Sequence, residues 1–100
     1  MKLSVIIPSY NEETRLPKTL REIDTYLKRQ PYDYEIIVVN DGSKDKTAEV
    51  AESLKPEIAN LKLIDNKENH GKGWVVRQGM LQATGEYRLF TDADNSTPID

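Results

Sequence analysis

The sequence contains no cysteine. That excludes a disulfide framework and thiolate metal sites, and it fits a reducing compartment. The single histidine, His70, has no serine or cysteine nucleophile visibly paired with it. A Ser-His or Cys-His triad is therefore not indicated, and His70 reads as an ordinary loop residue. Lysine and arginine form no cluster and the net charge is −3, which argues against nucleic acid as the main partner. No apolar stretch approaches the ~20 residues needed to span a bilayer. The N-terminal "MKLSVIIPSY" carries one lysine and an apolar run too short for a signal peptide. The expectation from these absences is a cytoplasmic chain. Internal repeats, low-complexity tracts and linkers are absent too. What is there is ordinary: 100 residues, 37% hydrophobic and 31% charged, sufficient for one small globular domain with a modest core.

Two kinds of segment alternate along it. "KLSVII" (2–7), "YEIIVVN" (34–40), "LKLID" (61–65) and "YRLFT" (87–91) read as strands, the first stopped by Pro8. Their apolar residues run continuously rather than alternating, as in parallel strands buried on both faces. Between them, Leu16, Leu20, Ile23 and Leu27 recur at helical spacing, and Pro17 confines the helix start to Glu13–Leu16. A second helix is capped by Ser43 or Asp45, buries Val50, Ala51 and Leu54, and ends before Pro56. A third carries Val75, Val76, Gly79, Met80 and Ala83 on one side, with Gly85 as its C′ stop and Trp74 partly buried against the sheet. The resulting β-α-β-α-β-α-β order predicts an α/β fold. Right-handed crossovers favour the three-layer half of a doubly wound parallel sheet, strand order 3-2-1-4. Flavodoxin-like order is the alternative.

The 3-2-1-4 order has a functional consequence. Ligands bind such sheets at the carboxyl ends of the strands, beside the switch point between strands 1 and 4. "PSYNEE", "NDGS" and "DADNST" would converge there. Asp92 and Asp94 can chelate together, and oxygen donors without nearby His or Cys suit Mg²⁺ or Mn²⁺ shared with phosphates; the alternative is a solvated acidic turn. Asp41 in "NDGSKDKT" offers an exposed carboxylate to a ribose or a base N–H, set against an ordinary D-G turn. "NHGKGW" places two glycines around Lys72 at a helix start, which suits a diphosphate or merely a flexible turn. It is neither a Walker A loop nor a G-x-G-x-x-G fingerprint.

Four motifs in this order, "SVIIPSYNEE", "EIIVVNDGSKDKT", "NHGKGWVVRQG" and "GEYRLFTDADNST", resemble the nucleotide-binding half of family-2 glycosyltransferases with the GT-A fold. "YNEETRLPKTL" and "TDADNST" look most like polyprenyl- and dolichyl-phosphate glucosyl- and mannosyltransferases, the glucosyl branch nearest. The resemblance implies that Pro8, Tyr10 and Glu12 line the nucleoside pocket, with Glu12 reaching the ribose. It implies that Asp41 accepts from the base and that Lys72 sits near the diphosphate, with Arg77 a further candidate. Asp92 and Asp94 become the catalytic metal motif, Asp94 as direct ligand and Asp92 nearer the ribose or the metal's water shell. Asn40 stands where the family often has a second acid. The implied reaction is metal-dependent, inverting transfer of a sugar, with UDP-glucose favoured over GDP-mannose, to a lipid-phosphate acceptor. Family members are normally more than twice this length. Residues 1–100 would then be the nucleotide-sugar-binding N-terminal portion, with the acceptor-binding half absent, no turnover of its own and an unpaired strand-4 edge open to self-association. A full-length relative would work at the cytoplasmic face of a membrane.

Two other readings stand beside it. One is a nucleotide-binding module without catalysis. The other is a haloacid dehalogenase-type phosphatase, whose first motif "LFTDADNST" resembles, with Asp92 as nucleophile. Ser96, where Thr or Val is usual, and the motif's place on the fourth strand rather than the first disfavour it.

Overall fold

The computed structural model describes residues 2–92. Strands β1 (Lys2–Ser9), β2 (Asp33–Asp41), β3 (Leu61–Asn66) and β4 (Tyr87–Phe90) alternate with helices α1 (Leu16–Lys28), α2 (Thr47–Leu54) and α3 (Lys72–Gln82). The four strands form one sheet of order β3-β2-β1-β4, every pair parallel. This is the expected half of a doubly wound sheet.

The continuous apolar runs have the expected cause. On β1 and β2, Val5, Ile7, Ile36 and Val38 face a core completed by Leu16, Leu20, Ile23 and Leu27 of α1 and by Ala51 and Leu54 of α2. Ile6, Ile37 and Val39 alternate onto the opposite face, against Val75 and Ala83. Successive strand residues point to opposite faces, so only a sheet covered on both sides demands apolar residues at every position. Each fully buried Leu or Ile contributes ~1.5–3 kcal/mol. The α1 leucines, all 0% exposed, anchor one layer to the sheet.

Three expectations are corrected. Strand β1 runs through Pro8 to Ser9. Ile6 accepts from Thr91 N, so Ile6 and, two residues on, Pro8 turn their backbone polar groups toward β4. The β1–β4 ladder ends at the Ile6–Phe90 pair, so the N–H that Pro8 lacks falls beyond it. Gly85 is no C′ stop: α3 ends at Gln82 with Ala83 extended. Its role is close approach, because a Cβ there would lie 2.5 Å from Ser4 Oγ and 2.8 Å from Lys2 O. Finally, β4 is mostly exposed, with Tyr87 and Phe90 at 59% and 45%. Among the described residues it pairs only with β1, and an edge strand buries less than a central one.

Candidate active-site crevice

Three loops meet at the carboxyl ends of β1, β2 and β4, and backbone demand explains how two of them lock together. Asn11 adopts φ 54°, a left-handed conformation that asparagine tolerates better than most residues. There its N–H donates to Ser43 Oγ (2.9 Å) and its Oδ1 accepts from Lys44 N (2.8 Å). Glu12 N donates to Thr47 Oγ1 (2.8 Å) and Glu13 N to Asp45 Oδ2 (3.3 Å). Asp45 Oδ1 also accepts from Thr47 N, the first residue of α2 (2.9 Å). Burial alone would raise the Asp45 pKa, but the Thr47 and Glu13 donors outweigh it and hold it below the usual value. The N-cap is Lys46 rather than Ser43 or Asp45, and Asp45, one residue before it, fastens the start of α2 to the loop after β1. Ser43 turns instead to Asn40, whose Oδ1 accepts from Ser43 Oγ (2.5 Å).

Asn40 itself explains the departure from a double acid. Its Nδ2 donates to Asp65 Oδ1 at 2.8 Å. An aspartate could not donate there and would set a like charge beside Asp65. Hydrogen bonds from Lys67 and then Asn40 keep the Asp65 carboxyl below its ordinary pKa.

Beside these loops is an open cavity of about 110 Å³ lined by Pro8, Ser9, Tyr10, Asp41, Lys72, Val75 and Asp92. Five expected site residues therefore come together: Pro8, Tyr10, Asp41, Lys72 and Asp92. Across the crevice Lys72 Nζ forms an ion pair with Asp92 and lies 5.5 Å from the Phe90 ring centroid. Cation and acid offset each other at the point where a diphosphate and a metal would need them apart. Tyr10, 42% exposed, offers its ring at the mouth. Ser9 and Val75 were not anticipated. Ser9 is the last residue of β1, and Val75 follows Lys72 by one helical turn, so both positions were implicit in the strand and helix frames.

Glu12 is not among the lining residues; its carboxylate pairs with Arg15 one turn along. Arg77 is exposed on α3 and does not line the cavity either. Asp94 lies outside the described residues. Asp41 is not the exposed acceptor expected of a D-G turn. It is 4% exposed, its Oδ1 accepting from His70 N (2.7 Å) and its Oδ2 from Gly71 N (3.0 Å) and Asn69 Nδ2 (3.3 Å). Trp74 does not pack under the sheet: it is half exposed and stacks on His70, ring centroids 3.9 Å apart. His70 lies in the segment before α3 and Trp74 in the helix's first turn, so the stack ties that segment to the helix start.

Asp92 is a hard oxygen donor on the crevice wall, the kind of ligand a divalent cation shares with phosphates. Among the described residues no three His, Cys, Asp or Glu side chains cluster to hold a metal unaided. A larger hollow of about 320 Å³ lies at the other end of the sheet, around Lys2, Lys28 and Tyr34. Its lysines are committed, Lys28 to Asp24 (3.1 Å) and Lys2 to Thr84 (2.7 Å), and it gathers none of the expected residues.

The chain is 46% identical over 103 residues to a dolichyl-phosphate β-glucosyltransferase of Trichomonas vaginalis, the match covering 98% of this chain and 32% of that one. It is 44% identical to the Homo sapiens dolichyl-phosphate β-glucosyltransferase, covering 96% and 32%. It thus spans about a third of the length of these relatives. Among solved structures, S. aureus TarS 1–349 in complex with UDP-GlcNAc superposes with a TM-score of 0.81 at 34% identity, covering 94% of this chain and 27% of that one. The Pyrobaculum calidifontis mannosyltransferase PcManGT with GDP-Man and Mn²⁺ gives 0.79 at 30%, covering 92% and 27%. The family model for glycosyl transferase family 2 matches residues 4–100. With its fold and its sequence in agreement, the chain belongs to glycosyl transferase family 2.

Proposed function

We propose that the crevice binds the nucleoside diphosphate of a UDP-sugar, UDP-glucose being favoured, for transfer of the sugar to a polyprenyl phosphate with inversion. The observation that carries this reading is the convergence of Pro8, Tyr10, Asp41, Lys72 and Asp92 on one cavity at the switch point of the sheet. Relatives named for glucosyl transfer to dolichyl phosphate support the choice of sugar and acceptor.

The residues divide the work by chemistry. Pro8 and Tyr10 flank the nucleoside. Asp41, with three donors on a carboxylate that has ~4 acceptor positions, keeps one for a base N–H. Lys72 turns from Asp92 to the diphosphate, supplying preorganised positive charge to the leaving group. Asp92, with Asp94, would hold Mg²⁺ or Mn²⁺. Such a cation, when bound, offsets negative charge on the departing nucleoside diphosphate. A phosphate acceptor is already an anionic nucleophile and needs no general base, and its approach opposite the diphosphate inverts the anomeric carbon.

Calorimetric titration with UDP and GDP, in Mn²⁺ and again in EDTA, tests the reading. UDP should bind at least tenfold more tightly with Mn²⁺ than in EDTA, and more tightly than GDP. Equal binding of the two nucleotides, or no response to metal, counts against it.

A further inference from the structure

Two separate stretches of sequence, "DG" at the end of β2 and "NHG" before α3, close on each other. Asp41 spends both carboxylate oxygens on the second stretch, accepting from His70 N, Gly71 N and Asn69 Nδ2. Asn69 Nδ2 also reaches the Asp41 backbone oxygen at 3.1 Å. Gly42 completes the fit: its φ is +68°, and a Cβ there would lie 2.5 Å from both Glu68 C and Asn69 N. Only glycine both adopts that conformation cheaply and admits the 68–69 backbone so closely.

The residue fastened in this way immediately precedes α3. Gly71 is the N-cap of that helix and has no cap from a neighbouring side chain of its own segment. Val75 N makes the first helical bond, to Gly71 O. The N–H groups of residues 71 to 74 therefore have no intrahelical acceptor. Asp41 takes the first of them. Those of Lys72, Gly73 and Trp74 follow it at the same helix end, beside open space at Gly73.

We propose that Asp41 and Gly42 are a latch that sets the position of Lys72 and the α3 amino end for the diphosphate. Asp41 is then a positioning residue as well as a base contact. The inference rests on the proposed nucleotide reading, and it assigns Asp41 a second effect, on the phosphates, that a base contact alone would not have.

The test compares uridine with UDP in Mn²⁺ for the wild-type chain, Asp41→Asn and Gly42→Ala, together with amide exchange of the ligand-free protein. In the wild type, the His70 and Gly71 amides should exchange at least tenfold more slowly than exposed loop amides. Exchange at loop rates overturns the latch, and this measurement needs no variant to fold. Gly42→Ala leaves the Asp41 carboxylate in place, so it should weaken UDP at least tenfold and uridine less than threefold. Asp41→Asn should weaken both, UDP the more. Equal losses for uridine and UDP in both variants, or no loss, overturn the positioning role while leaving the crevice intact. A wild-type chain that binds neither ligand sinks the nucleotide reading itself and, with it, the role assigned to the latch.

Discussion

Replacing Glu35 by alanine should cost about 1.5–3 kcal/mol of stability, the range for losing hydrogen bonds to a charged group. That is a large part of the ~5–15 kcal/mol that holds a domain of this size together. Glu35 sits on β2 with its side chain 2% exposed. It accepts from Ser4 Oγ of β1 (2.5 Å), Lys62 Nζ of β3 (2.5 Å) and both Thr84 N (2.7 Å) and Oγ1 (3.0 Å) from the segment joining α3 to β4. One carboxylate thus ties three strands and the approach to the fourth. Removing it leaves the fully buried Ser4 Oγ without its acceptor and unties Lys62 and Thr84 from β2.

The same site gives a pH dependence of defined sign. Burial by itself would raise the Glu35 pKa, but the bonds from Lys62, Ser4 and Thr84 more than offset it and bring it down to about 2. A carboxylate depressed on folding contributes stability that is complete above its unfolded value of 4.5 and lost as pH falls through about 2. The shift corresponds to about 3 kcal/mol at neutral pH. Urea unfolding at pH 7 and pH 3 should show a falling midpoint in the wild type. Glu35→Gln should be weaker at pH 7 and flatter between the two pH values. A Glu35→Ala midpoint within 1 kcal/mol of wild type would refute the cluster's importance.

Lys72→Ala should lower UDP affinity about 10- to 100-fold, the range expected for losing a charge-assisted bond of ~1.5–3 kcal/mol, and leave uridine affinity unchanged. Lys72 lines the cavity across from Asp92, and the proposed reading gives its charge to phosphate rather than base. Asp92→Asn should do something different. It releases Lys72 from its ion pair, so UDP binding in EDTA should strengthen about two- to fivefold, the size of a partly exposed pair. The enhancement by Mn²⁺ should vanish. Parallel losses in both variants, with and without metal, would mean that Lys72 and Asp92 do not divide the diphosphate and the cation between them.

The parts of the fold that follow from local pattern were legible. Strands buried on both faces write themselves as unbroken apolar runs, as in "IIVV" over residues 36–39, and α1 shows its core side as Leu16, Leu20, Ile23 and Leu27. Crossover handedness favoured the observed strand order, and with it the meeting of Pro8, Tyr10, Asp41 and Asp92, while Lys72 was placed by its helix start and the family resemblance. What stayed hidden depends on contacts between residues distant in the chain. Nothing in "YEIIVV" shows that Glu35 will find partners at residues 4, 62 and 84. A D-G pair looks like an open turn until the segment before α3 closes over it, so Asp41 read as exposed. Gly85 looked like a helix stop because the sequence shows a glycine after a helix and not the β1 backbone pressed against it. Glu12 read as a pocket residue by family position, yet its nearest cation is Arg15, three residues on.

The central claim is that the nucleotide sits at the carboxyl ends of β1, β2 and β4. Amide chemical-shift mapping with UDP and Mg²⁺ tests it most directly. Shifts concentrated at Ser9, Tyr10, Asp41, Gly71, Lys72 and Asp92 are the predicted result. Shifts confined to Tyr34 and Asn60 around the hollow at the opposite end, or none at saturating UDP, would contradict it.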